Sequence, residues 1–119
     1  MFNDETGRAP RALQAERLLG AVRPYCPTGR LLDIGAGAGI LVDAANRAGY
    51  RAEGVEPSDW MVRRAAEHGV TVHRGVLPMP GISGPYDVVT LVDVIEHVSD
   101  PADLLAQARA VLAPDGVGN

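Results

Sequence analysis

Leu31-Leu32-Asp33-Ile34-Gly35-Ala36-Gly37-Ala38-Gly39 decides the fold of this chain. The apolar run from Arg30 to Ile34 has the length of a buried strand, and Gly35, Gly37 and Gly39 break it. Ile40 to Ala48 follows with helical spacing, placing Leu41, Ala44, Ala45 and Ala48 on an inward face, and Gly49 closes it. Strand, glycine loop and helix in that order set the first amides of a helix beside a strand end, as donors without intrahelical partners. Glycine there lets the main chain turn sharply and lets a ligand approach it closely.

Spacing narrows the ligand. A dinucleotide loop needs G-x-G-x-x-G. Counted from Gly35 the third glycine falls on Ile40, and counted from Gly37 it falls on Val42, so both registers fail. The pattern is instead D-x-G-x-G-x-G, with Asp33 ahead of the first glycine. A carboxylate at that place repels a pyrophosphate and suits a cationic amino group, such as an amino-acid tail carried on a nucleoside. It can equally cap the loop amides. Glu56 ends the next strand, about 20 residues beyond the loop, where a carboxylate can take two ribose hydroxyls.

Working outward, Arg8 to about Tyr25 reads as a helix, with Ala12, Ala15, Leu19 and Val22 on one face, Leu18 widening it, and Pro24 and Pro27 ending it. Arg51 to Glu56 is a second strand. Ser58 or Asp59 caps a helix that runs to His68 and closes at Gly69. Val70 to Arg74 is a short third strand, and Gly75 to Pro85, with Pro78, Pro80, Gly81 and Gly84, is a loop. Tyr86 to Val92 is a fourth strand of nearly continuous β-formers. Asp100 caps a last helix with Pro101 at its first position and Leu104, Leu105, Ala108, Val111 and Leu112 as its buried stripe. Ala113-Pro114-Asp115-Gly116 reads as a turn. Strands alternating with helices predict an α/β fold: a partial, Rossmann-like, doubly wound parallel sheet of about four strands with helices on both faces. Its ligand site lies at the carboxyl ends of the strands, where the strand order reverses.

Composition bounds the function. With 119 residues, 46% hydrophobic and 22% charged, the chain is one folded domain rather than a disordered tail. Aromatics make up only 4%, so Ala, Val, Leu and Gly do most of the packing. A net charge of −4 gives no broad cationic field for nucleic acid. The single cysteine, Cys26, excludes an internal disulfide and a cysteine-rich zinc site, and points to a reducing cytoplasm. Met1–Pro10 carries Asn3, Asp4 and Glu5 and is no signal peptide, and the apolar runs are too short to cross a membrane.

Four segments in series resemble the class I S-adenosylmethionine-dependent methyltransferases. Leu31 to Gly39 looks like their first motif, and Gly54-Val55-Glu56-Pro57-Ser58 like the acidic end of the second strand. Tyr86-Asp87-Val88-Val89, followed by Asp93-Val94-Ile95-Glu96-His97-Val98-Ser99-Asp100-Pro101, looks like the fourth strand and the loop after it. Val111-Leu112-Ala113-Pro114-Asp115-Gly116 looks like the approach to the fifth strand. The fourth-strand segment is most similar to the small-molecule branch that includes ubiquinone-biosynthesis O-methyltransferases.

This resemblance implies S-adenosylmethionine as cofactor and a small-molecule methyl acceptor, the chain being the enzyme or its cofactor-binding portion; the alternatives are a cofactor-binding module without catalysis and, less favoured, a nicotinamide-dependent oxidoreductase. It divides the chain into a helical segment, 1–28, and a cofactor-binding unit, 29–119. It places Asp33, Gly35, Ala36, Gly37, Gly39, Glu56, Pro57, Met61, Val76, Leu77 and Asp93 around the cofactor. Where relatives carry an adenine-binding carboxylate this chain has Val76, so backbone near Val76 and Leu77 and apolar walls hold the base. Trp60 and Met61 both follow the second strand, and Met61 matches the family's apolar position. His97 and Glu96 are the acid–base candidates beside the site, His97 because its intrinsic pKa suits neutral pH. No metal site is expected, and His68 and His73 look ordinary. The chain stops where the implied fifth strand begins. That leaves the fourth strand as an apolar edge, as expected of a truncated piece of a longer chain or of a chain that pairs this strand with a second copy.

Overall fold

The computed structural model describes residues 8–91 and 99–118. In chain order the elements are α1 (Arg8–Val22), β1 (Gly29–Ile34), α2 (Ile40–Arg47), β2 (Tyr50–Glu56), α3 (Asp59–Glu67), β3 (Val72–Arg74), β4 (Tyr86–Thr90), α4 (Pro101–Val111) and β5 (Leu112–Gly118). The strands form one sheet in the order β3-β2-β1-β4-β5, and every pairing is parallel. The order reverses between β1 and β4, the point at which open α/β sheets part their loops and bind ligands.

β1 lies at the centre, and Leu31 and Leu32 are both fully buried because each faces a helical layer. One layer packs Ala15, Leu19 and Val22 of α1, Leu41, Val42 and Ala45 of α2 and Ala65 of α3 against Leu31, Ala52, Val72 and Val88. The other packs Ala108 and Val111 of α4 with Ile82 against Leu32, Ile34, Val55 and Val89. Helices therefore cover both faces, as the alternation predicts. The caps fall where the sequence puts them. Ser58 Oγ accepts from the Met61 N–H at 3.3 Å, and the Asp100 carboxylate accepts from the Asp103 N–H at 3.1 Å with Pro101 in the first turn. Leu105 departs from the expected stripe of α4 and is 45% exposed, while Val42, outside the expected face of α2, is fully buried.

The end of the chain corrects the sequence reading. There are five strands rather than about four, and the stretch read as a turn lies within β5. Tyr86 pairs with Leu112 and Val88 with Val117, so the register slips between them and the surplus residues of β5 are taken up as an irregularity. Pro114, which cannot donate to a ladder, falls inside that irregularity. Gly116 is required by close approach: a Cβ there would sit 2.9 Å from the Asp87 carbonyl oxygen. β4 is consequently an internal strand, bonded to β1 on one side and β5 on the other. The expected exposed fourth strand, and with it pairing of copies through β4, is withdrawn. Among the described residues no helix is long and apolar enough to cross a membrane.

A polar cluster crosses the sheet. The buried Tyr86 donates its hydroxyl to Glu53 Oε2 at 2.7 Å, His73 Nε2 lies 2.7 Å from Glu53 Oε1, and the Arg30 guanidinium sits 4.3 Å above the Tyr86 ring. It joins β3, β2, β1 and β4. His73, read as ordinary, is one of its members.

Candidate functional site

The glycine loop is pinned to β2. The Gly35 and Ala36 N–H groups both donate to the Val55 carbonyl, at 2.9 and 3.0 Å. Gly37 donates its N–H to Glu56 Oε1 at 2.8 Å, and Ser58 donates its N–H to Glu56 Oε2 at 2.9 Å. The Gly75 N–H donates to the Glu56 carbonyl at 3.0 Å, so the start of the connection after β3 rests on the same residue. Gly35, Gly37 and Gly39 have φ of 73°, 57° and 82°, which side-chain-bearing residues rarely adopt. These three positive angles turn the chain from the end of β1 into α2 around a concave backbone surface. Gly39 precedes α2 with no side-chain cap.

Glu56 thus joins the glycine loop, the start of α3 and the loop after β3. A carboxylate offers roughly four acceptor positions, and the two amide bonds use two of them. Its remaining lone pairs suit vicinal hydroxyls. Met61 stands across from the loop, its sulfur 4.0 Å from where a Cβ on Gly37 would lie. Pro57 is exposed beside Glu56. Val76 is 64% exposed at the rim, whereas Leu77 is half-buried and packs with Met79 against the second core layer. Trp60 is exposed and stacks on the Arg64 guanidinium at 5.1 Å.

Asp33 is buried at 4% exposure and accepts the Thr90 hydroxyl at 2.7 Å. The Gly35, Ala36 and Gly37 amides are taken by Val55 and Glu56 of β2. The structure therefore brings Asp33, Gly35, Ala36, Gly37, Gly39, Glu56 and Met61 to one end of the sheet. Asp93, Glu96 and His97 lie outside the described residues. Thr90 was missed by sequence reasoning. It stands in a run of β-formers and is 57 positions from its partner, and no local pattern marks such a pair.

Gly54 explains why the second motif opens with glycine. A Cβ there would overlap the Ala36 Cβ and lie 3.2 Å from the Asp33 carbonyl oxygen, neither of which is the far end of a flexible side chain. Gly54→Ala is expected to lower stability by about 1–3 kcal/mol and to displace the glycine loop. Chemical denaturation checks the first effect, and amide chemical shifts of Gly35 to Gly39 check the second.

A family profile described as a methyltransferase domain matches residues 8–117. The chain belongs to that family. A ubiquinone biosynthesis O-methyltransferase of Caulobacter sp. (strain K31) is 34% identical over 96 residues, covering 74% of this chain and 38% of the relative. The protein of the same name from Caulobacter vibrioides is 32% identical over 106 residues, covering 82% of this chain and 42% of the relative. The chain thus spans less than half the length of these curated relatives. Among solved structures, an S-adenosylmethionine-dependent methyltransferase from Mesorhizobium loti superposes with a TM-score of 0.69 at 26% identity, covering 84% of this chain and 50% of that one. The methyltransferase fold thus extends from α1 through β5, and the glycine loop and Glu56 fall within the matched residues.

Proposed function

We propose that this chain binds S-adenosylmethionine and serves methyl transfer to a small-molecule acceptor. The observation that carries the reading is the Glu56 carboxylate, held by the Gly37 and Ser58 amides at the mouth of the glycine loop with acceptor capacity to spare. The donor set fits that cofactor. Glu56 accepts from the ribose hydroxyls, Asp33 answers the ammonium of the amino-acid tail, and Gly35, Ala36, Gly37 and Gly39 give a backbone surface without side chains in the way. Met61 and Pro57, with Val76 and Leu77 across the rim, enclose the base by apolar contact and backbone, since no carboxylate stands at Val76. The family resemblance assigns Asp93 to the methionine part of the cofactor or to the acceptor.

When bound, the cofactor supplies a methyl carbon made electrophilic by its sulfonium. The chain's own contribution is position: a rigid loop and a clamped carboxylate hold the nucleoside in one orientation toward the acceptor. Where the acceptor must lose a proton, His97 is the base and Glu96 its neighbour. The cofactor-binding unit is 29–119, with 1–28 as its helical flank. The free Cys26 suits a reducing cytoplasm. The names of the curated relatives support a small organic acceptor methylated at oxygen.

Calorimetric titration with S-adenosylmethionine and S-adenosylhomocysteine, with NAD as control, tests the reading. Dissociation constants of about 1–100 μM for the first two, and at least about a hundredfold weaker binding of NAD, are expected. A folded chain that binds neither, or that prefers NAD, overturns it.

A further inference from the structure

We propose that Thr90 is a positioning residue that holds the Asp33 carboxylate, charged and oriented, for the cationic amino group of the cofactor's tail; this rests on the reading above. Asp33 and Thr90 are the two buried polar side chains among the described residues, at 4% and 0% exposure. They are direct partners across β1 and β4, in register at the place where the sheet order reverses. The Thr90 hydroxyl donates to Asp33 Oδ1 at 2.7 Å.

The surroundings of Thr90 ask for valine. Val88 and Val89 precede it, Leu91 follows it, and all are buried. A hydroxyl buried on such a strand costs free energy unless it is hydrogen-bonded, and here it donates to the Asp33 carboxylate near the end of β1. Threonine is β-branched, so its χ1 is restricted and the direction of its hydroxyl is held by the strand. A donor placed on a carboxylate favours the ionised form. Asp33 lies two residues before Gly35, so a fixed negative charge at this point stands at the foot of the glycine loop. A merely structural role, in which the pair only staples β1 to β4, predicts the same geometry and a different binding pattern.

The test compares two ligands that share the nucleoside and differ in the tail: S-adenosylmethionine and 5′-methylthioadenosine, which has no amino-acid group. Thr90→Val keeps the shape and removes the donor. It is expected to weaken S-adenosylmethionine about tenfold or more while leaving 5′-methylthioadenosine within about twofold. Thr90→Ser, which keeps the hydroxyl, is expected to restore the affinity for S-adenosylmethionine and with it the difference between the two ligands. If Thr90→Val does not fold, Thr90→Cys, with only a weak S–H donor, is read in the same way. Equal weakening of both ligands, or no weakening of either, overturns the assignment and leaves the cofactor reading standing. Failure of the wild-type chain to bind either ligand overturns both.

Discussion

Glu56→Ala is expected to weaken S-adenosylmethionine binding by at least about a hundredfold, since two hydrogen bonds to a charged acceptor are each worth about 1.5–3 kcal/mol. Two losses coincide. The ribose hydroxyls lose their acceptor, and the Gly37 and Ser58 amides lose the oxygens that hold them 2.8 and 2.9 Å away. The glycine loop is still tethered through Val55, so the fold survives and the melting temperature falls by only a few degrees. Glu56→Gln separates the two losses. Its side-chain oxygen can serve one amide, but its NH₂ then confronts the other N–H, and an intermediate affinity is expected. Calorimetry on both variants, beside thermal unfolding by circular dichroism, checks this. Affinity of Glu56→Ala within about threefold of the parent would remove the ribose role, because no single neutral contact spans that gap.

The largest effect on stability is expected at Tyr86. Its ring is fully buried in the second core layer, under the Arg30 guanidinium, and its hydroxyl is bonded to Glu53. Tyr86→Ala leaves a cavity and an abandoned carboxylate acceptor, and should cost about 3–5 kcal/mol, a large share of the stability of a single domain. Tyr86→Phe keeps the ring and isolates the hydroxyl. Burial first, and then the hydrogen bond to Glu53, pushes the Tyr86 phenol from 10.0 up to about 12. Because the folded value is the higher one, this stabilisation is complete below the ordinary phenol value and is lost as pH rises through about 12.

Glu53 shifts the other way. Burial pushes it up, but the hydrogen bonds from Tyr86 and His73 and the charges of His73 and Arg30 outweigh that and hold it below its ordinary value. Its contribution is present above the ordinary carboxylate value and lost as pH falls through the lowered one. Urea denaturation across pH should therefore show both limbs in the parent. In Tyr86→Phe the alkaline limb should shrink to the part carried by Cys26 and Tyr50, whose burial also pushes their values up, and the acid limb should flatten. An unchanged alkaline limb would show that the phenol is not the group responsible.

The candidate site was legible in part because its chemistry is local. Asp33 and the three glycines form one continuous stretch, and Glu56 is recognised by its distance from them along a strand–helix–strand unit. The structure adds that Glu56 works on the protein before any ligand does, accepting from Gly37 and Ser58. For Asp33 the structure adds the Thr90 hydroxyl as a partner, and it gives the Gly35, Ala36 and Gly37 amides to Val55 and Glu56. Which acceptor the loop amides find depends on the relative height of β1 and β2, where Asp33 lies level with Gly54. Composition and spacing along β1 carry no information about that height.

The sequence by itself determined the α/β class, the positions of the caps at Ser58 and Asp100, and the glycine loop with its acidic partners, because each rests on contacts within a turn of helix or the alternation of a strand. Tertiary structure decided the rest. Ala113-Pro114-Asp115-Gly116 has the residues of a turn, yet β4 offers it a free edge, and a slipped register makes it part of β5. Thr90 meets Asp33 across 57 positions and Tyr86 meets Glu53 across 33, pairs that exist only once the strand order places β4 beside β1. The physical reason is one of range. Propensity and periodicity act over a few residues, whereas strand order and register follow from how the whole chain buries its two apolar layers at once.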